Sequence, residues 1–143
     1  MANNKQFVVI GLGRFGESVA KTLYSLGHDV LAIDMDEDSV QEISDSVTHA
    51  VQMDATDENA LKSLGIRNFD VAIVTIGDDI QSSIMATLLL KELGVKDVQL
   101  YITHCENNIV NGELLKTDLI SKIYTTNSIC KIEHDKIKII HNF

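Results

Sequence analysis

Apolar and polar positions in this chain fall into blocks whose period switches in a regular order. Phe7 to Ile10 is an apolar run of buried-strand length. A helical spacing follows, with Val19, Leu23 and Leu26 three or four residues apart and Gly27 after them, which predicts a helix over Glu17 to Leu26. Asp29 to Ile33 reads as a second strand. Glu37 to Ser44 reads as a second helix, with Asp36 at its N-cap and Val40 and Ile43 facing inward. Thr48 to Met53 is β-rich and forms the third strand. A short helix over Glu58 to Leu64 follows, capped by Thr56 or Asp57 and closed by Gly65. Asp70 to Ile76 (DVAIVTI) is apolar on both faces, as a central parallel strand should be. The next helix spans Ile80 to Leu93. Asp79 is its expected N-cap, Ile84, Leu88 and Leu89 its inner face with Met85 adding to it, and Gly94 its stop. Val98 to Ile102 is the fifth strand.

Beyond Asn107 the pattern loosens. Ile109 to Leu115 reads as a helix interrupted by Asn111-Gly112, and Leu119 to Tyr124 as a sixth strand. Apolar residues at 129, 132, 137, 139 and 140 fit neither period. Strands alternating with helices predict an α/β fold: a Rossmann-like, doubly wound parallel sheet of about six strands, order 3-2-1-4-5-6, with helices on both faces. Its ligand crevice is expected between the first and fourth strands.

The stretch between the first strand and first helix sharpens this. Gly11-Leu12-Gly13-Arg14-Phe15-Gly16 has the G-x-G-x-x-G spacing. Gly11 allows the tight turn, Gly13 lets a pyrophosphate approach the backbone, and Gly16 lets the helix lie close to the sheet. The helix N-terminus suits a phosphate. Asp34 ends the second strand about twenty residues later, where an acid can bond ribose hydroxyls and disfavour a 2′-phosphate.

The chain of 143 residues suits a single domain with one core. With 12 basic and 21 acidic residues its net charge is −9, which argues against a nucleic-acid partner. Cys105 and Cys130 lack a C-x-x-C spacing and read as two reduced thiols of a cytoplasmic protein. No apolar run approaches the roughly eighteen residues of a membrane span, so no direct insertion is expected. Asp78 and Asp79 suit helix capping better than a metal, and no metal site is assigned. His104-Cys105, past the fifth strand, lacks a third group to make it catalytic. Asp54-Ala55-Thr56 reads either as capping alone or as capping with ligand contact.

Taken together, VVIGLGRFG, HDVLAIDMDED, the DAT loop before a helix ending LGIRNFD, VAIVTIGDDIQSS and LLLKELG resemble the RCK or KTN (TrkA-N) domains. These are the nucleotide-binding regulatory domains of bacterial Ktr and Trk potassium uptake systems, and the likeness is closest to the Ktr-type regulatory subunit. It runs from Lys5 to about Leu100, roughly two thirds of the chain. The resemblance implies a cytoplasmic sensor with no catalytic residues, held at the inner face of the membrane by a channel or transporter subunit and assembled with its own copies, as dimers or a ring. It implies ATP/ADP or NAD(H) as ligand. Carried over by position, Gly11, Gly13 and Gly16 line the pyrophosphate, with Phe15 in the same loop. Asp34 holds the ribose, and Met35, Asp36, Asp54, Ala55 and Thr56 flank the adenosine. Ile76, Gly77 and Asp78 close the other side, and Arg14 faces the terminal phosphates. After the fifth strand the likeness fades: Thr103-His104 stands where a basic residue is common, and residues 105–143 diverge. An NAD-dependent oxidoreductase is the alternative. Against it stand the absence of a Tyr-x-x-x-Lys pair and of a substrate domain.

Overall fold

The computed structural model describes residues 4–75, 80–102, 122–126 and 137–140, with side chains over 4–75 and 81–101. Among the described residues seven parallel strands form one sheet in the order β3-β2-β1-β4-β5-β6-β7. They are β1 (Gln6–Ile10), β2 (Asp29–Asp34), β3 (His49–Gln52), β4 (Val71–Val74), β5 (Asp97–Ile102), β6 (Lys122–Thr126) and β7 (Ile137–Ile140). Four α-helices connect the first five strands: α1 (Arg14–Ser25), α2 (Glu37–Ile43), α3 (Glu58–Ser63) and α4 (Ile80–Glu92). The expected order 3-2-1-4-5-6 is present, and β7 extends it by a strand the sequence did not predict. Residues 137–140 of the stretch that fitted neither period form that strand. The expected helix over Ile109 to Leu115 lies outside the described residues.

The pleat divides the core into two layers. Val8, Ile10, Leu31, Ile33, Ala72 and Val74 point to one face, where Leu61 of α3 and Ala86 and Leu90 of α4 cover them. Val9, Val30, Ala32, Val71 and Ile73 point to the other, under Ala20 of α1 and Ile43 of α2. Both faces of β1, β2 and β4 are therefore apolar, as a sheet covered on both sides requires.

Two helix faces differ from the sequence expectation. In α1 the residues against the sheet are Gly16 and Ala20; Val19 and Leu23 are partly buried, and Leu26 is 68% exposed. The helix begins at Arg14, three residues before the expected start, and Leu26 has become its C-cap. In α4 the buried stripe is Ser83, Ala86, Thr87 and Leu90. Ile84 and Leu89 pack only partly, Leu88 is half-buried, and Met85 is 50% exposed. Large apolar residues fall on several sides of this helix and polar ones lie among them, so spacing alone does not select the inner face. Small residues bring it close to the sheet, and Thr87 Oγ1 satisfies itself by donating to the Ser83 carbonyl at 2.6 Å.

Candidate functional site at the glycine turn

The strand registers set the site. Ile10 lies level with Ile33 and with Val74, and Asp34 lies level with Gln52. Gly11, Asp34, Met53 and Thr75 thus emerge together at the carboxyl edge of β1, β2, β3 and β4. The reversal of strand order falls between β1 and β4, where open α/β sheets leave their ligand crevice.

Gly11 leaves the sheet with φ 97°, a conformation few side chains adopt, and its N–H donates to the Ile33 carbonyl at 2.9 Å. Gly13 is extended and exposed, and precedes α1 as its N-cap, but has no side chain to cap it. The first intrahelical bond runs from Glu17 N–H to the Gly13 carbonyl, so the opening turn directs its N–H groups out of the helix end. A Cβ placed on Gly13 would meet no atom within 4 Å. A Cβ on Gly16 would lie 1.8 Å from the Gly11 carbonyl oxygen and 2.5 Å from Thr75 Oγ1. The two glycines therefore do different work: Gly13 faces open space, and Gly16 permits contact between helix and turn. Arg14 is exposed beside Gly13. Phe15 is half-buried with its ring centroid 5.0 Å from that of Tyr101 on β5.

Asp34 is half-buried, and both its oxygens hold backbone. Oδ2 accepts from Leu12 N–H at 2.6 Å and Oδ1 from Asp36 N–H at 2.8 Å. Each carboxylate oxygen has a second lone pair, which leaves acceptor capacity for hydroxyls. The loop after β2 is pinned further by Gln52 Nε2, which donates to the Met35 carbonyl at 3.1 Å. The Met35 side chain is 66% exposed. Asp36 stands at the N-cap of α2 as expected, but its carboxylate accepts from Ser39 Oγ at 2.9 Å and caps no N–H.

After β3, Asp54 Oδ1 accepts from Thr56 Oγ1 at 2.6 Å and from Thr56 N–H at 2.9 Å. The hydroxyl first, then the N–H, hold the Asp54 carboxyl below its ordinary pKa. Of the two expected caps for α3, Asp57 is the one: its Oδ1 accepts from Asn59 and Ala60 N–H groups. Ala55 is 5% exposed and belongs to the core, so it offers the crevice little surface. Ile76, Gly77 and Asp78, with Asp79, His104, Cys105 and Cys130, lie outside the described residues. Among the described residues no group of three or more His, Cys, Asp or Glu is placed to hold a metal ion, and no helix is long and apolar enough to cross a membrane.

Sequence reasoning missed Thr75. It is 8% exposed, and its hydroxyl donates to the Gly11 carbonyl at 2.7 Å. Its N–H donates to the Ile10 carbonyl, also at 2.7 Å. A lone hydroxyl at the end of an apolar strand was the signal, but β-propensity explains a threonine there equally well.

The open space at Gly13, a helix end without a side-chain cap and an acid across the turn fit a phosphate joined to a ribose. Fold and turn together define the class, a Rossmann-like α/β domain with a glycine turn at the switch point of its sheet. Residues 7–126 match the TrkA-N domain, and the chain belongs to that family. Ktr system potassium uptake protein A of Bacillus subtilis (strain 168) is 56% identical over 95 residues, 66% of this chain and 43% of the relative. Protein A of the Ktr system of Vibrio alginolyticus is 45% identical over 95 residues, with the same coverage of 66% and 43%. The chain thus spans 43% of the length of either relative. Among solved structures, the GsuK channel bound to NAD superposes with TM-score 0.67 at 15% identity, over 85% of this chain and 21% of that one. At that identity the likeness concerns the fold alone.

Proposed function

We propose that this chain is a single nucleotide-sensing domain of a Ktr-type potassium uptake system, not an enzyme. The observation that carries the reading is the preformed glycine turn, with Gly13 open and Asp34 opposite, in a chain of the TrkA-N family. An adenine nucleotide, ATP/ADP or NAD(H), would lay its pyrophosphate along Gly11 to Gly13 and the start of α1. Asp34 would accept the ribose hydroxyls through its remaining lone pairs, and its charge would disfavour the 2′-phosphate of NADP. Met35 and Asp36, with Asp54, Ala55 and Thr56, would flank the adenosine. Ile76, Gly77 and Asp78 would close the opposite wall. Arg14 would add a guanidinium beside the terminal phosphates, which favours ATP and ADP as occupants alongside NAD(H).

The ligand would act by differential binding. Two nucleotides that stabilise different arrangements of assembled copies would shift a membrane-embedded channel or transporter partner between states. The domain would then work in the cytoplasm, at the inner face of the membrane, through that partner. A thermal-shift series with ATP, ADP, NADH, NAD and NADP tests the site. A ligand at a hundred times its Kd adds about 2.7 kcal/mol, or several degrees in a domain of this length. Protection by ATP/ADP or NAD(H), with little from NADP and none in Asp34→Ala, is expected. Protection by none of the five would overturn the reading, and steady consumption of a nicotinamide would revive the oxidoreductase.

A further inference from the structure

One peptide unit of the glycine turn is held at both ends by side chains of the two flanking strands. Its carbonyl, Gly11 O, accepts from Thr75 Oγ1 of the β4 end at 2.7 Å. Its N–H, Leu12 N, donates to Asp34 Oδ2 of the β2 end at 2.6 Å. The preceding N–H, Gly11 N, is bonded to Ile33 O at 2.9 Å. With φ 97° at Gly11, this peptide sets the direction in which the chain enters Gly13 and the first turn of α1. A peptide bonded at one end only is free to rock about that bond; two bonds on opposite sides fix its plane.

We propose that Thr75 is a positioning residue of the nucleotide site, and that with Asp34 it clamps the Gly11–Leu12 peptide in the phosphate-ready orientation. The inference rests on the nucleotide-binding reading above and adds a residue to it. Thr75 touches no ligand in this account. It acts through Gly11, and its burial at 8% exposure makes the bond to that carbonyl hard for water to replace. The clamp also passes an effect between strands. Asp34 both holds Leu12 N–H and faces the ribose, so its hold on the ligand depends on where Thr75 leaves the peptide. The hydroxyl is the required feature, because a methyl at 2.7 Å from Gly11 O would be repelled from it.

The test is calorimetric titration of the full chain with ADP and with NADH, using wild type, Thr75→Val, Thr75→Ser and Thr75→Ala. Loss of about one buried hydrogen bond should weaken binding by roughly five- to tenfold in Thr75→Val and Thr75→Ala. Thr75→Ser, which keeps the hydroxyl, should bind within about twofold of wild type. Should Thr75→Val fail to fold, Thr75→Ala against Thr75→Ser carries the comparison. A second readout separates positioning from loss of stability. The Gly13 amide resonance, one peptide beyond the unit that Thr75 bonds, should shift in Thr75→Val and return in Thr75→Ser. Binding by Thr75→Val and Thr75→Ala equal to a wild type that binds, or an unmoved Gly13 amide, would overturn the clamp alone. A wild type that binds neither nucleotide would overturn the site reading, and the clamp with it.

Discussion

Gly16→Ala is the sharpest probe of how the glycine turn is built. The added methyl would begin 1.8 Å from the Gly11 carbonyl oxygen, 2.9 Å from the Gly11 carbonyl carbon and 2.5 Å from Thr75 Oγ1. A close carbon–oxygen contact settles at about 3.3 Å, so α1 must retreat by roughly 1.5 Å or the turn must deform. Neither neighbour gives way easily: one is backbone, and the other is a buried hydroxyl in a hydrogen bond to that same carbonyl. Overpacking of this kind costs about 1–3 kcal/mol, and backbone contact places it at or above the upper end. Alanine's better helix propensity returns at most about 1 kcal/mol. The net expectation is a loss of about 2–3 kcal/mol, or a Tm lower by roughly 10 °C for a domain of this length. Gly13→Ala is the matched control. Its φ of −69° and ψ of −169° suit any residue, and nothing lies within 4 Å. Its Tm without ligand should stay within about 2 °C of wild type. Its nucleotide affinity should fall, because the methyl occupies the open side of the turn. Thermal denaturation followed by circular dichroism decides the matter. A Gly16→Ala protein melting within about 2 °C of wild type, a change of no more than about 0.5 kcal/mol, would refute this account of the turn.

Other expectations concern the surrounding loops. Asp57→Ala removes the acceptor for Asn59 and Ala60 N–H groups at the start of α3 and should cost about 1 kcal/mol in urea unfolding. Asp54 has a folded-state pKa depressed by Thr56, so its contribution is present above the ordinary value of 3.8 and fades as pH falls through the lower folded value. The carboxylate is exposed, so the effect is small, and Thr56→Val should flatten the acid limb of a stability–pH profile below about pH 4. An unchanged acid limb in Thr56→Val would argue against the hydroxyl as the main cause.

What the sequence made legible follows from how local each signal is. The glycine turn, the strands about it and Asp34 depend on residues close in the chain or on a fixed interval, and all occupy the expected edge of the sheet. The inner face of α4 was not legible, because Ile84, Met85, Leu88 and Leu89 are as apolar as the residues that pack. The choice fell to Ser83, Ala86 and Thr87 through close approach to the sheet, a tertiary effect. The choice between Thr56 and Asp57 as cap of α3 turned on a partner two residues away, since Thr56 is engaged by Asp54. Thr75 meets Gly11 across 64 positions of sequence, and no short-range pattern announces such a pair.

Direct calorimetry of the wild-type chain with ADP, ATP and NADH, run beside a turnover assay for each, tests the central claim most directly. Saturable binding of ATP/ADP or NADH in a one-to-one ratio with the domain, lost in Asp34→Ala and accompanied by no consumption of the ligand, is the predicted result. No binding to any of them, or binding with steady hydride transfer, would contradict it.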